Sequence, residues 1–112
     1  MAAKISLRPV ARLIIQKYIE LLKKEKIPVE QVIVFGSQTN GTASEKSDIY
    51  LCVVSSAFGK NYHEEMVRLM VLASSLHEPM DVVPFTPKDL ADKYDSLAAE
   101  IRRYGVPLVI SH

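Results

Sequence analysis

Cysteine is nearly absent from this sequence of 112 residues, where Cys52 stands alone. One thiol can neither close an internal disulfide nor furnish a cysteine-based zinc site, and its apolar neighbours read as a reduced, buried side chain. Histidine is scarce too: His63 and His77 stand at no metal-ligand spacing and His112 is terminal, which argues against zinc. No apolar run approaches the ~18 residues of a membrane span. The stretch from Met1 to Ser6 lacks the apolar core and small-residue cleavage site of a secretory signal. The expectation is a cytoplasmic protein with no membrane partner. Charge of one sign is also missing. The formal net charge is +1 with basic and acidic residues interspersed, so no duplex nucleic acid is expected as a ligand, and a small molecule or a protein is favoured.

What is present is an ordinary globular balance, 48% hydrophobic and 24% charged. The length predicts a single domain over residues 1–112 that buries roughly two thirds of its unfolded surface. From Pro9 to Lys26, Val10, Leu13, Ile14, Tyr18, Leu21 and Leu22 recur at helical spacing opposite Arg12, Gln16, Glu20, Lys23 and Lys24. Ile27-Pro28 ends that helix, because a residue before proline disfavours the helical region. Gln31 to Phe35 and Ser47 to Val54 are β-branched runs, and the second is apolar on both parities, so both read as central strands. Asn61 to Leu76 returns to helical period. Met80 to Phe85 is a strand bracketed by Pro79 and Pro84, so it is expected to lie near an edge or to end early. Thr86-Pro87 starts a short helix, Asp95 caps a last one running to Tyr104, and Gly105 is expected as its left-handed stop before a strand from Val106 to Ile110. The fold class is α/β, or α+β, with about four strands flanked by helices.

The chemistry concentrates between the first two strands. Val32-Ile-Val-Phe-Gly36-Ser37 runs a strand into a glycine-serine turn and a polar segment with Gly41, and Ser47-Asp48 opens the next strand. A strand that turns at Gly-Ser into a helix start offers backbone N–H groups and a hydroxyl to phosphate oxygens. Residues i and i+2 of a strand share a face, so Asp48 and Tyr50 point into one space. Taken singly, Gly36-Ser37 reads as a strand-ending turn and Asp81 as an exposed edge-strand residue. Their joint spacing gives them a different meaning.

Gly36, Ser37, Gly41, Ser47 and Asp48, with Asp81 on the later strand, resemble the signature of the minimal nucleotidyltransferases of the DNA polymerase beta superfamily. The resemblance covers almost the whole chain, including the ending Ile101-Arg-Arg-Tyr-Gly105-Val-Pro-Leu-Val. It implies a nucleotidyltransferase fold with a small mixed sheet. It implies binding of a nucleoside triphosphate with Mg²⁺ and transfer of a nucleoside monophosphate to a hydroxyl acceptor. Gly36, Ser37, Gly41 and Ser47 would be nucleotide-binding; Asp48 and Asp81 would be catalytic and metal-binding, with Asp81 helping to activate the acceptor.

One departure stands out. The family signature reads Ser-Asp-x-Asp, and this chain carries Tyr50 at the second aspartate. A phenol is neutral at neutral pH and a poor magnesium ligand, and its ring occupies metal space. Gln38 and Asn40 also stand where the family often has basic residues, which weakens triphosphate contacts. The expectation is therefore weakened Mg²⁺ binding and impaired transfer. The alternative implied by the same resemblance is a non-catalytic interaction protein, antitoxin-like, whose partner is a small helical HEPN-type toxin. A homodimer is a further expectation from the wide apolar first helix.

Overall fold

The structure, a computed structural model, describes residues 9–36 and 49–108. Its elements in chain order are α1 (Pro9–Lys24), β1 (Gln31–Phe35), β2 (Ile49–Val54), α2 (Tyr62–Ser74), β3 (Met80–Phe85), α3 (Pro87–Leu90), α4 (Ser96–Tyr104) and β4 (Val106–Leu108). Among the described residues the strands form one sheet in the order β3-β2-β1-β4. β1 is antiparallel to β2 and to β4, whereas β2 and β3 are parallel. This is the small mixed sheet flanked by helices that the sequence implied. Residues 47, 48, 109 and 110 of the expected strands lie outside the described residues.

Apolar residues on both parities put two layers of side chains on β1 and β2. Val32, Val34, Ile49, Leu51, Val53, Met80 and Val82 pack on one face beneath Ala11, Ile14, Ile15, Tyr18 and Leu22 of α1 and Leu69 and Ala73 of α2. Ile33, Phe35, Cys52, Val54 and Phe85 pack on the other face with Ala98 and Ile101 of α4. The inward stripe of α1 differs from the expected one in part. Ile15 is buried and Leu13 is 59% exposed, because the sheet selects the row 11, 14, 15, 18 and 22 and leaves position 13 outside it. Tyr18 is fully buried, and its hydroxyl donates to the Leu69 carbonyl at 2.9 Å, joining α1 to α2. Burial raises that hydroxyl above its ordinary pKa, so it stays a donor.

Side-chain caps fix the helix starts. Asn61 accepts from the Glu64 N–H, Thr86 and Asp89 form a reciprocal capping box, and Asp95 accepts from the N–H groups of Leu97 and Ala98. Glu65 adds a second clamp, its carboxylate accepting from the N–H groups of Gly59, Lys60 and Asn61. Strand β3 is an edge, as its prolines predicted, and it is protected: the Val82 N–H donates to Met70 Sδ at 3.4 Å, and Pro84 has no N–H to offer.

Gly105 is a correction. It follows α4 with φ −70° and ψ 148°, an extended conformation open to any residue, and not the expected left-handed stop. Glycine is needed there for space. A Cβ would collide with the Ile101 carbonyl oxygen and lie 2.6 Å from Ile33 Cγ2, so α4 and β1 approach too closely for a side chain.

Two outcomes follow. Gly105→Ala is expected to destabilise the fold by about 2 kcal/mol, because a backbone oxygen cannot yield as a flexible side chain does; chemical denaturation measures it, and an unchanged midpoint would contradict the close approach. The second concerns acid. Partial burial works to raise the Glu65 carboxyl, but the N–H groups of Gly59, Asn61 and Lys60 prevail and hold it below the ordinary glutamate value of 4.5. A depressed folded-state pKa contributes stability that is present above the unfolded value and lost as pH falls through the folded one. Glu65→Gln should therefore melt below the parent protein at pH 7, and the gap should close as pH falls below 4.5. A gap constant with pH would rule the clamp out.

Candidate functional site

Three strands converge at one end of the sheet, where β1 finishes and β2 and β3 begin. Phe35 pairs with Tyr50 across the antiparallel ladder, and Tyr50 pairs with Asp81 across the parallel one. Phe35, Tyr50 and Asp81 therefore stand in a single row, on the sheet face that carries α4. Gly36 follows at the end of that row with φ +82°, a conformation that favours glycine. Of the residues singled out in the sequence, Gly36, Tyr50 and Asp81 are thus brought together. Ser37, Gly41, Ser47 and Asp48 lie outside the described residues.

The row borders a cleft of about 530 Å³ lined by Phe35, Gly36, Tyr50, Asp81, Val82 and Val83 of the strands, Met66 and Met70 of α2, and Leu97 and Glu100 of α4. Apolar walls dominate it. Among the described residues, its charged lining groups are the two carboxylates Asp81 and Glu100. Met70 also packs against the core, as a methionine on the inward face of a helix does, and no motif in the sequence marks Leu97 or Glu100. The i, i+4 spacing of the methionines was legible, but the cleft they overlook is created by the exposed edge of β3.

Tyr50 decides what the site can hold. Its ring lies 5.8 Å from the Phe35 ring, centre to centre, at an interplanar angle of 44°, a tilted aromatic pair. From there it leans onto Gly36. A Cβ built on Gly36 would be 2.8 Å from Tyr50 Cδ2, so the ring fills the space that the missing side chain opens. The divalent cations implied by the resemblance can be tested against this arrangement. Two cations would call for a carboxylate at position 50, and a phenyl ring packed between Phe35 and Gly36 is no hard-oxygen ligand. Among the described residues, no group of three His, Cys, Asp or Glu side chains could hold a metal ion. The described residues do not fit a two-cation site.

Cys52, next on the same face, is fully buried. Burial first, and the negative charge of Asp89 second, push its thiol up to about 12. It is packing, without nucleophilic character. Among the described residues, no helix is long and apolar enough to cross a membrane.

Comparison with known proteins bears on the family and the fold. The family model for Polymerase beta, Nucleotidyltransferase matches residues 16–109. No protein of curated function matches the chain at a significant level. Among solved structures, one of a toxin–antitoxin with AMP-PNP is 26% identical with a TM-score of 0.60, over 86% of this chain and 73% of that one. A mutant form of the MntA–HpeT toxin–antitoxin is also 26% identical with a TM-score of 0.60, over 86% and 72%. A candidate nucleotidyltransferase from Sulfolobus solfataricus shares the fold, at 18% identity and a TM-score of 0.58 over 85% of this chain and 76% of that one. With its family model matched over most of its length and its sheet end built from the expected strands, the chain belongs to the polymerase beta nucleotidyltransferase family.

Proposed function

We propose that this chain is a minimal nucleotidyltransferase domain that binds a nucleoside triphosphate, ATP in the first instance, and that its transfer of a nucleoside monophosphate to a hydroxyl is impaired by Tyr50. The observation that supports the reading is the row Phe35, Tyr50, Asp81 ending at Gly36, with Tyr50, Asp81 and Gly36 read as the second and third acidic positions and the glycine turn of the family signature. Gly36, Ser37, Gly41 and Ser47 hold the phosphate chain. Asp48 and Asp81 are the carboxylates that would hold Mg²⁺, fewer than a pair of cations needs, so metal binding would be weak. In the transfer, the acceptor oxygen bonds to the α-phosphorus, the bond to pyrophosphate breaks, and Asp81 receives the hydroxyl proton. ATP is favoured because a structural relative is a toxin–antitoxin with AMP-PNP.

A second reading has its own support. Two relatives at 26% identity are toxin–antitoxin proteins, and α2 exposes Val67 at 44% and Val71 at 60%, one turn apart. An antitoxin-like role, with a small helical HEPN-type toxin as partner, does not depend on the metal chemistry that Tyr50 removes. A homodimer could cover the same residues. Light scattering of the purified chain, alone and after isolation from its native host, separates a monomer, a self-associated pair and a stoichiometric complex.

Restoring the carboxylate tests the leading reading. Tyr50→Asp should bind ATP about tenfold more tightly than the parent protein when Mg²⁺ is present and should gain measurable transferase activity, because a second oxygen ligand is what the cations lack. Calorimetric titration with and without Mg²⁺ reads it; no gain in either quantity means that position 50 is misassigned. The same substitution should weaken the metal-free fold. It sets a second negative charge directly across from Asp81 and strips the ring from Phe35, and like charges opposed across strands destabilise. In a metal chelator Tyr50→Asp should melt below the neutral comparison Tyr50→Asn by roughly 4 °C, about 1 kcal/mol. Equal melting temperatures would show that the two side chains do not feel each other.

A further inference from the structure

We propose that Tyr50 is a gate over the phosphate turn, and that it limits nucleotide affinity by occupying space in addition to lacking a carboxylate. This rests on the reading of Gly36 as the start of the phosphate-binding turn. A glycine at such a turn is useful because a ligand can come against its backbone on the side where a Cβ would otherwise stand. Here that side is taken. Tyr50 Cδ2 lies 2.8 Å from the position of the absent Cβ, with Tyr50 Cγ and Cβ at 3.4 and 3.6 Å. The ring is held by the tilted contact with Phe35, its neighbour in the row.

The ring also has somewhere to go. Tyr50 lines the cleft of about 530 Å³ that Met66, Met70 and Leu97 wall on the far side, far larger than the ~150 Å³ cavity that accepts a benzene ring. Rotation about χ1 would carry the phenol off Gly36 and into these apolar surroundings, where unbranched methionine side chains can adjust around it. Tyr50 is half-buried in the closed position, and the move would exchange its contacts with Phe35 and Gly36 for the apolar walls of the cleft. Two rotamer states follow: a closed one with the ring on Gly36, and an open one with the ring among the methionines. A nucleotide that binds only the open state has its affinity divided by the fraction of open molecules. A ring closed in ~90% of molecules weakens binding about tenfold.

The gate and the missing metal ligand predict different variants. Tyr50→Ala removes the ring and supplies no carboxylate. If the gate is real, Tyr50→Ala binds ATP about tenfold more tightly than the parent protein in EDTA, and inorganic tripolyphosphate gains by a similar factor, since the obstruction lies over phosphate and not over the base. Tyr50→Ser should behave likewise and serves where the alanine variant folds poorly. Tyr50→Phe keeps the ring and should bind as the parent does. Calorimetric titration of the four proteins, each with its folding confirmed by circular dichroism, reads all of this. Affinity unchanged in both small-residue variants overturns the gate. If Tyr50→Asp then gains ATP affinity with Mg²⁺, the metal reading stands without the gate; if the small-residue variants gain in EDTA and Tyr50→Asp shows no Mg²⁺-dependent gain, the gate stands and the metal assignment falls. A gain with ATP and none with tripolyphosphate places the obstruction over the base and also overturns the proposal. If no variant binds either ligand, the phosphate-turn reading and the gate fail together.

Discussion

Strand register is the constraint on which the site depends. Phe35, Tyr50 and Asp81 face the same side only because β1 pairs with β2, and β2 with β3, in the observed registers. Slipping β2 by one residue would turn Tyr50 to the α1 and α2 face and drive Leu51 out toward α4. The register is secured because both faces of the sheet are covered. Val32, Leu51 and Val82 on one side and Ile33, Cys52 and Phe85 on the other are all buried, so a slip would misplace two cores at once. The glycine turn and the acidic position come together as a consequence of packing well away from them.

At position 50 two demands on one side chain conflict. Under the proposed function a carboxylate there would be a cation ligand and, with no cation, would repel the carboxylate at Asp81. An aromatic ring packs on Phe35, fills the hollow over Gly36 and relieves that repulsion, at the cost of hard-oxygen chemistry. The present residue favours a quiet, well-packed sheet end over metal binding. The cleft beside it has the same character, with methionine and leucine walls and carboxylates as its charged lining groups.

Much of the architecture was legible in the sequence because its signals are local. The β-branched runs Gln31 to Phe35 and Ser47 to Val54 marked central strands, Pro79 and Pro84 marked an edge or an early end, and Thr86 and Asp95 marked helix starts. What escaped depends on contacts between distant segments. The exposure of Leu13 follows from which row of α1, Ala11, Ile14, Ile15, Tyr18 and Leu22, the sheet covers. The need for Gly105 follows in part from the Ile101 carbonyl oxygen nearby and in part from Ile33, 72 positions back in the chain. The spacing from Asp48 to Tyr50 showed that those two share a face, and family spacing suggested Asp81 as their companion. No periodicity could show that the Tyr50 ring lies on Gly36, because that contact is created by the pairing of β1 with β2, which brings Tyr50 beside Phe35 and Gly36.

The central claim is that contact between the Tyr50 ring and Gly36, and nuclear magnetic resonance reads it directly. In the ligand-free protein the account predicts a nuclear Overhauser effect between the Tyr50 ring protons and the Gly36 Hα protons, with at least one of those Hα resonances moved upfield by the ring. A Gly36 signal at ordinary shifts with no cross-peak to the ring would contradict it.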